Sequence, residues 1–456
     1  MSIKSINPST NEELKSYQPL TKEETLSAVA KAHEAFQEWR KTSFENRRSC
    51  ILNFAEELRS NTDKYAKLIT LEMGKRISES RAEIIFCAEI AEFYANGAEE
   101  FLANEYMEVE NAHAYIQHSP IGALMGVMPW NFPFYQVTRF ATPNIMAGNT
   151  CLVKHAGNVP QCAEEIAKIF KQAGLPEGVY TNLLIPSDFV NSIISNDSIA
   201  GVSLTGSERA GAAVAAAAGK NLKRSVLELG GNDPFIVLED ADMEDVVEKA
   251  IKGRMVNTGQ SCVAAKRFIV MKSVADEFLE GLKSGMAAMK IGDPLDESTD
   301  VGPLSTEDAA VRLQEQVTSS LNYGAKAILG GDRPERKGAY FNPTILTNVS
   351  KDNPTFDQEL FGPVATVYVV ESEEEAISLA NNSSYGLGGS VYTKDISRGR
   401  KIAEQIDTGM VFINQPTNSQ AGLPFGGTKN SGYGRELSRF GILEFINKKL
   451  IHNIED

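Results

Sequence analysis

The fold is decided by Ala200-Gly-Val-Ser-Leu204, Thr205-Gly206-Ser207, the Ala-rich run from Glu208 to Ala218, and Ser225-Val-Leu-Glu228. The first and last of these segments are short and apolar, as buried strands are, and the Ala-rich run is typical of a helix. A strand, a Gly-containing turn, a helix and a second strand form a β-α-β unit, whose two strands pair in parallel. The stretch therefore predicts a parallel sheet covered by helices.

The same alternation continues on both sides of this stretch. Upstream, apolar strand-like runs begin at Ala123, Thr150 and Tyr180, with helical runs between them. Downstream, Pro234-Phe-Ile-Val-Leu238 begins a second α/β segment that extends to about Gly422. We expect an α/β protein with a mostly parallel, doubly wound sheet, in which ligands bind at the carboxyl ends of the strands.

The first hundred residues follow a different pattern. Residues 21 to about 102 are helical in pattern, and Thr21-Lys-Glu-Glu24 has the character of a capping box. Between Glu105 and Gly122, two extended runs flank Asn111-Ala-His113 and predict a β-hairpin. An exposed strand edge invites pairing with another subunit, so we expect the hairpin to serve assembly.

Length and composition limit the possible functions. A chain of 456 residues is long enough for two or three domains, and a net charge of -15 argues against binding to nucleic acid or an anionic membrane. The five cysteines form no C-x-x-C pair and the five histidines form no ligand cluster, so neither disulfides nor a metal site are expected. Because no run approaches ~18 apolar residues and no apolar signal region begins the chain, we expect a cytoplasmic protein.

One cysteine stands in the polar turn Asn257-Thr-Gly-Gln-Ser-Cys262. A thiol with a pKa of ~8.5 needs only a modest electrostatic assist to become a nucleophilic thiolate. The alternative is that Cys262 is a small buried hydrophobe, which is the commoner role of an isolated cysteine. The turn alone leaves both interpretations open.

Two other turns suggest a nucleotide. The backbone N–H groups of Thr205-Gly206-Ser207 at the start of a helix suit a phosphate, although a helix cap with close packing explains this turn equally well. The strand that contains Cys151 ends in Lys154-His-Ala-Gly157, without the acidic residue that accepts a ribose 2′-hydroxyl. This favours NADP, or a mixed preference, over strict NAD.

Two polar residues are candidates for acid, base or oxyanion chemistry. Asn131 lies in the rigid turn Pro129-Trp-Asn-Phe-Pro133, where its amide can donate to a developing oxyanion, or it is an ordinary turn residue. Glu228 lies between apolar neighbours at a strand end, where burial raises the pKa of a carboxyl group and suits it to act as a base. The alternative for Glu228 is a paired structural acid.

Considered together, these motifs and several further turns resemble the pattern of a known protein family. The series is Pro129-Trp-Asn-Phe-Pro133, Lys154, Thr205-Gly-Ser207, Glu228-Leu-Gly-Gly231, Gly259-Gln-Ser-Cys262, Glu359-Leu-Phe-Gly-Pro363 and Pro424-Phe-Gly-Gly427 through Arg435-Glu436. In this order it closely resembles the NAD(P)-dependent aldehyde dehydrogenase superfamily, over nearly the whole chain. Within the superfamily, the chain is most similar to succinate-semialdehyde dehydrogenases.

The resemblance implies a mechanism. Cys262 would attack the aldehyde to give a thiohemiacetal, whose oxyanion is held by the Asn131 amide and the Cys262 N–H. After hydride transfer to the nicotinamide, Glu228 would activate the water that hydrolyses the thioester to a free acid. The implied cofactor contacts are Trp130, Lys154, Gly157, Thr205, Gly206, Ser207, Leu229, Gly230, Glu359 and Phe361. The implied substrate contacts are Phe132, Arg139, Ser261, Ser419 and Phe425.

The resemblance also implies a domain plan. An aldehyde-dehydrogenase-like fold would place a Rossmann-type cofactor domain in 1–104 and 122–228, and an α/β catalytic domain in 229–438. A small β oligomerisation domain would use the hairpin 105–121 and the C-terminal strand 439–456, in a homodimer or homotetramer.

Three departures from the family pattern bear on specificity. Gly157 replaces the Glu common in NAD-preferring members, which again favours NADP, and Glu208 follows Ser207 where Thr is usual. Arg139 matches an Arg that binds the substrate carboxylate, or is a surface residue, but Val256 stands where a second Arg is expected. An aldehyde other than succinate semialdehyde therefore stays an alternative.

Other classes of function are also possible. A CoA-acylating semialdehyde dehydrogenase would lack the base at the position of Glu228. A cofactor-free cysteine esterase would need a histidine near Cys262, and none is evident. An inactive homologue with a binding or structural role should lack the cysteine or the base.

Overall fold

Residues 2–110 and 112–454 are described by the computed structural model of the chain. The N-terminal segment consists of a short hairpin and four helices: β1 Ile3–Asn7, β2 Glu12–Tyr17, α1 Lys22–Trp39, α2 Phe44–Ser60, α3 Thr62–Met73 and α4 Ile77–Phe101. Helix α1 begins at the predicted capping box, in which Thr21 Oγ1 accepts from the Glu24 N–H and the Glu24 carboxylate accepts from the Thr21 N–H. The helical pattern of this segment is confirmed.

The predicted hairpin is also present. Its strands are β3 Glu105–Met107 and β4 Ala112–Pro120, which pair antiparallel. The other edge of β4 pairs antiparallel with the last strand of the chain, Ile446–Ile454. Met1, Asn111, Glu455 and Asp456 lie outside the described residues, and the domain boundaries given above stay a prediction.

The central segment builds a parallel sheet with helices on both faces. In chain order its elements are β5 Ala123–Met128, α5 Tyr135–Ala147, β6 Thr150–His155, α6 Pro160–Gln172, β7 Tyr180–Asn182, α7 Val190–Ile194, β8 Ile199–Thr205, α8 Glu208–Lys220 and β9 Arg224–Glu228. The strands lie side by side in the order β9-β8-β5-β6-β7, all parallel. The unit from β8 to β9 is the β-α-β unit that the sequence predicted.

The remainder of the chain builds a second sheet and the closing strands. Its elements are β10 Pro234–Val237, α9 Met243–Met255, β11 Arg267–Met271, α10 Lys272–Ala287, α11 Glu307–Asn322, β12 Lys326–Leu329, β13 Thr344–Thr347, β14 Val364–Val370, α12 Glu373–Asn381, β15 Tyr385–Gly386, β16 Ser390–Tyr392, α13 Ile396–Ala403, β17 Phe412–Ile413, β18 Thr428–Lys429, β19 Gly432–Tyr433, α14 Ser438–Leu443 and β20 Ile446–Ile454. The second sheet has the order β12-β13-β14-β11-β10-β16-β17, and only β12 runs antiparallel to its neighbour.

Alternating side chains of the first sheet belong to two separate cores. Cys151 and Val153 pack into the core under α2, α4 and α5, whereas Leu152 between them packs into the core that includes residues of α7 and α8. Burial on both faces explains why these strands read as continuous apolar runs. The sheet therefore holds the carboxyl ends of β5, β8 and β9 in fixed positions, and the site forms there. Among the described residues, no helix is long and apolar enough to cross a membrane.

Candidate active site

The loop that carries Cys262 has an unusual backbone. Asn257, Thr258 and Gly259 all have left-handed conformations, with φ of 51°, 54° and 76°. This conformation is uncommon for residues other than glycine, and a β-branched residue such as Thr adopts it rarely. A Cβ atom on Gly259 would lie 2.1 Å from the Gly362 carbonyl oxygen, so only glycine fits there. The surrounding structure thus imposes the path of the loop that ends at Cys262.

Cys262 lies where two cavities meet. We call the first the apolar cavity, which has a volume of about 310 Å³ and is lined by Phe86, Phe132, Tyr135, Val256, Ser261, Ser419 and Phe425 among others. We call the second the strand-end cavity, which has a volume of about 280 Å³ and is lined by Trp130, Asn131, Thr205, Gly206, Ser207, Leu229, Gly230, Glu359 and Phe361 among others. Cys262 and Gln136 line both cavities. A molecule in either cavity therefore has access to the Cys262 region.

Asn131 is joined to the Cys262 loop by hydrogen bonds. Its Nδ2 donates to the Gln260 carbonyl at 3.1 Å, and Asn257 Nδ2 donates to the Asn131 carbonyl at 2.9 Å. An amide side chain has two N–H donors, so one contact fixes the amide and the other donor stays available to a ligand. The predicted oxyanion donor and the predicted nucleophile are thus neighbours.

Helix α4 contacts both the segment that follows the Asn131 turn and the loop that carries Cys262. Sequence reasoning missed this support. Glu83 Oε1 accepts from the N–H groups of Phe134 and Tyr135 at 2.9 and 3.0 Å, and so caps the helix that follows the Asn131 turn. Glu79 Oε1 accepts from the Asn257 N–H at 2.9 Å. Residues four apart lie on one face of a helix, so one face of α4 sets the spacing between both loops.

Glu83 is itself paired. Its side chain and that of Lys75 are 1% and 0% exposed, and they form an ion pair. The Lys75 ammonium also lies 3.7 Å from the centre of the Phe132 ring, which lines the apolar cavity. A single buried pair therefore supports both the helix cap and one wall of the cavity.

Glu228 differs from these carboxylates because it has no partner. It is 2% exposed, and neither of its carboxyl oxygens has a hydrogen-bond partner among the described residues. Burial raises the pKa of Glu228 well above its usual value, Arg139 opposes this and Glu436 adds to it. It lies against Gly426, where a Cβ atom would be 2.7 Å from Glu228 Oε1, and it does not line either cavity. Such a group is a candidate base.

The Cys262 thiol is protonated at neutral pH in this environment. Burial raises its pKa to about 12, although the positive charges of Lys266 and Arg139 act in the opposite direction. Ionisation of this thiol therefore requires a change in the charges that surround it.

Arg139, the predicted contact of a substrate carboxylate, lies buried behind the wall of the apolar cavity. Arg139 is 1% exposed, forms an ion pair with Glu436, and donates to Thr205 Oγ1 at 3.2 Å. It lines neither cavity, because the rings of Tyr135 and Phe425 lie against its guanidinium at 4.9 and 4.5 Å. A direct contact between Arg139 and a substrate carboxylate stays a prediction.

Tyr135 connects Arg139 to the apolar cavity. Arg139 Nη1 donates to the Tyr135 hydroxyl at 3.0 Å, and that hydroxyl donates to Ser419 Oγ at 2.9 Å. Both Tyr135 and Ser419 line the cavity. Sequence reasoning named Ser419 but missed Tyr135, whose only signal was its position four residues before Arg139 on one helix.

Two of the ten residues that the resemblance assigns to the cofactor lie outside the strand-end cavity. Lys154 ends β6 and is about nine-tenths buried, and burial lowers the pKa of its ammonium. Gly157 is exposed, and a Cβ atom there would meet only Ile3 at 4.0 Å. Ser207 caps α8 by accepting from the Ala210 N–H at 3.4 Å. The other contacts assigned to the cofactor share one cavity wall.

Lys266 is a further buried charge that sequence reasoning missed. Its ammonium donates to the carbonyls of Ser261, Cys262 and Ala264 at 3.0, 2.8 and 3.3 Å, and lies 3.1 Å from Glu359 Oε1. The only sequence signal was a lysine four residues after the cysteine.

Comparison with known proteins places the chain in a family. Residues 1–451 match the aldehyde dehydrogenase family. The chain is similar to the succinate-semialdehyde dehydrogenase (NADP+) of Deinococcus radiodurans, with 47% identity over 98% of this chain and 94% of that protein. It is also similar to succinate-semialdehyde dehydrogenase (NADP+) 1 of Mycobacterium tuberculosis, with 44% identity over 99% of each chain.

A solved structure gives the same result. The chain superposes with a TM-score of 0.97 on succinic semialdehyde dehydrogenase from Streptococcus pyogenes in complex with NADP+, at 41% identity over 98% of this chain and 99% of that one. The resemblance and the α/β fold class predicted from the sequence are both confirmed.

Proposed function

The chain belongs to the aldehyde dehydrogenase family, and from that premise we propose that it oxidises succinate semialdehyde to the free acid with NADP+ as the preferred cofactor. The observation that carries this proposal is the position of Cys262 between an apolar cavity and a strand-end cavity. The relatives described above are named as enzymes for this aldehyde and this cofactor.

The residues of the strand-end cavity fit a nicotinamide dinucleotide. Trp130 and Phe361 face one another edge to face, with ring centres 5.8 Å apart, as flat apolar walls. Gly206 leaves backbone exposed next to the start of α8, a position that suits a phosphate. Lys154 is a buried cation without a salt-bridge partner among the residues described, and we propose that it and Gly157 hold the adenosine ribose and its 2′-phosphate.

The proposed chemistry assigns roles to Cys262, Asn131 and Glu228. We propose that Cys262 loses its thiol proton to solvent, that its sulfur then attacks the aldehyde carbon, and that the Asn131 amide and the Cys262 N–H donate to the resulting oxyanion. A nicotinamide held in the strand-end cavity would supply the hydride acceptor needed to convert this thiohemiacetal to a thioester. Glu228 then takes a proton from the water that attacks the thioester carbon, and the Cys262 sulfur leaves as the acid forms.

A carboxylated aldehyde fits the polar end of the apolar cavity. The chain Arg139 Nη1 to Tyr135 to Ser419 ends in a hydroxyl whose proton is available to a substrate carboxylate. Because hydrogen bonds in a chain polarise one another, the charge of Arg139 strengthens that final donor without touching the substrate. Ser261, Phe132 and Phe425 complete the cavity wall around a short carbon chain.

We further propose that the enzyme is a cytoplasmic homodimer or homotetramer. Strand β3 has a free edge, and Tyr106 and Met107 on it are 81% and 52% exposed. Exposed strand edges with apolar side chains are typical of surfaces that pair with a second subunit. Sedimentation of the purified protein would measure its mass, and a monomer at micromolar concentration would contradict this part of the proposal.

Steady-state kinetics over a panel of aldehydes tests the function. The panel should include succinate semialdehyde, butanal as the uncharged match in length, and an aromatic aldehyde, each with NAD+ and NADP+ and each with and without CoA. We expect the highest kcat/KM for succinate semialdehyde with NADP+, and a free acid as product. An equal preference for butanal would remove the carboxylate from the proposal, and a CoA-dependent product would remove the role of Glu228.

A further inference from the structure

Lys266 is a buried cation that connects the loop carrying Cys262 to a residue of the strand-end cavity. It is 2% exposed, and its ammonium donates to the carbonyl oxygens of Ser261, Cys262 and Ala264. Its fourth neighbour is Glu359, which lines the strand-end cavity. The Lys266 ammonium therefore links the loop that carries Cys262 to the wall of the strand-end cavity.

Glu359 is positioned to accept a hydrogen bond from a ligand in the strand-end cavity. Its Oε1 accepts from the Gly231 N–H at 3.2 Å, and a Cβ atom on Gly230 would lie 2.5 Å from its Oε2. The carboxylate therefore lies directly over Gly230 on the cavity wall, with 17% of its side chain exposed. A ligand hydroxyl in the cavity competes with Lys266 for this carboxylate.

The charges around Cys262 come from several elements. Lys266 and Arg139 favour the thiolate, whereas Glu359 and Asp233 oppose it. Asp233, which precedes β10, is also influenced by Lys266, and Arg254 of α9 faces both Glu359 and Asp233. In this arrangement Glu359 offsets the effect of Lys266 on the sulfur.

From these contacts we propose that Lys266 is a positioning residue that couples occupation of the strand-end cavity to the reactivity of the Cys262 thiol. Its ammonium holds the loop through three carbonyls and shares its charge with Glu359 until a ligand takes over that carboxylate. The charge of Lys266 then acts on the sulfur with less compensation, while Asp233 continues to oppose the thiolate. The nucleophile becomes reactive only when the cofactor that the proposed function requires is in place.

The direction of each effect follows from the sign of the charges. Removing the charge of Glu359 should lower the pKa of Cys262, because one of its two negative neighbours is lost while the positive charges of Lys266 and Arg139 remain. Removing the charge of Lys266 should raise the pKa and should also abolish the response to cofactor. A merely structural role for Lys266 predicts no such opposite pair.

The rate at which iodoacetamide alkylates Cys262 measures this directly. The sulfur displaces iodide, and below its pKa the rate follows the thiolate fraction, which changes about tenfold for each unit of pKa. Peptide mass spectrometry follows Cys262 separately from Cys50, which is also partly exposed and serves as an internal reference. Rates are taken from pH 6 to 10, with and without saturating NADP+.

Four proteins are compared with the wild type. We expect NADP+ to accelerate alkylation of wild-type Cys262 by about tenfold or more if the pKa falls by a unit. We expect Glu359→Gln to react at the accelerated rate without NADP+, Lys266→Gln to react slowly with or without it, and Lys266→Arg to retain the response. Lys272→Gln removes the same charge from an exposed pair with Glu371, and should behave as the wild type.

Defined outcomes overturn the proposal. Wild-type behaviour of Lys266→Gln, or an unchanged alkylation rate in Glu359→Gln without cofactor, would each contradict it. If Lys266→Gln does not fold, the rate in Glu359→Gln alone decides. The arms without cofactor need no substrate and no turnover, so a wild type that fails to oxidise aldehydes would refute the proposed function and leave this test standing.

Discussion

Helix α4 and the carboxyl end of β9 each place a buried carboxyl group beside the site, Glu83 and Glu228. The two groups differ in their hydrogen bonding. Glu83 accepts two backbone hydrogen bonds and pairs with Lys75. Glu228 has no hydrogen bond among the residues described, and burial raises its pKa. A buried polar group is normally satisfied, and an unsatisfied one is an exception that needs an explanation.

The difference in hydrogen bonding indicates a structural role for Glu83 and a role in proton transfer for Glu228. A carboxylate whose lone pairs are all occupied can fix a loop but cannot accept a further proton readily. A carboxyl group held without partners is unstable in the fold and available for proton transfer. We infer that α4 builds the geometry of the site and that β9 supplies its base.

Glu228→Gln gives the largest expected effect on activity. The amide keeps the shape of the side chain but cannot take a proton from water, so we expect kcat to fall by about 10²-fold or more. The thermal midpoint should not fall, because no hydrogen bond is lost. Steady-state assay and thermal unfolding of the same preparation measure both, and a loss of stability with normal kcat would reverse the comparison.

Glu83→Gln gives the largest expected effect on stability. The change leaves the Lys75 ammonium buried without its counter-charge, which costs about 3 kcal/mol or more. We expect a lower thermal midpoint and a smaller fall in kcat than for Glu228→Gln. Lys75→Met with Glu83→Gln should recover part of the stability, because both charges are then absent. A stable single variant would show that α4 does not hold the Asn131 turn.

Glu79→Gln should have an intermediate effect. Its carboxylate is partly exposed and accepts one backbone hydrogen bond from Asn257, so the loss is about 1 kcal/mol. Because Asn257 holds the Asn131 carbonyl, we expect kcat to fall more than KM rises. A change confined to KM, measured with succinate semialdehyde, would place Glu79 in substrate binding instead.

The pH dependence of stability sharpens the contrast between Glu228 and Glu83. The pKa of Glu228 is raised in the folded protein, so its contribution is present at low pH and is lost as pH rises through the folded value. Relative to the wild type, Glu228→Gln should therefore become more stable at alkaline pH, by about 1.4 kcal/mol for each unit of the shift. Thermal midpoints at several pH values measure this, and parallel curves would contradict a raised pKa.

Much of the fold was predictable from local pattern. The β8-α8-β9 unit is a run of apolar residues, a Gly turn, an Ala-rich helix and another apolar run, and the structure places it as expected. The strand-like run that begins at Tyr180 forms a strand of only three residues, Tyr180–Asn182. It pairs with only one neighbour, β6, at the end of the sheet order, so few contacts extend it.

The supports of the site were not predictable. Arg139 was expected to reach a substrate, but every residue of α5 is buried and the partner of Arg139, Glu436, is distant in the chain. The pairing of Lys266 with Glu359 and the contacts of Glu83 with Phe134 and Tyr135 likewise join residues that are distant in the chain. Local pattern identifies elements and turn chemistry, whereas buried ion pairs depend on tertiary packing.

A burst measurement on Glu228→Gln most directly tests the claim that Glu228 acts as the base for thioester hydrolysis. Enzyme saturated with NADP+ is mixed with succinate semialdehyde, and nicotinamide reduction is followed at 340 nm. The account predicts a burst of one NADPH for each Cys262, followed by almost no turnover, because the thioester forms and its hydrolysis is blocked. Cys262→Ala should give no burst. Continuous turnover by Glu228→Gln at the wild-type rate would contradict the account.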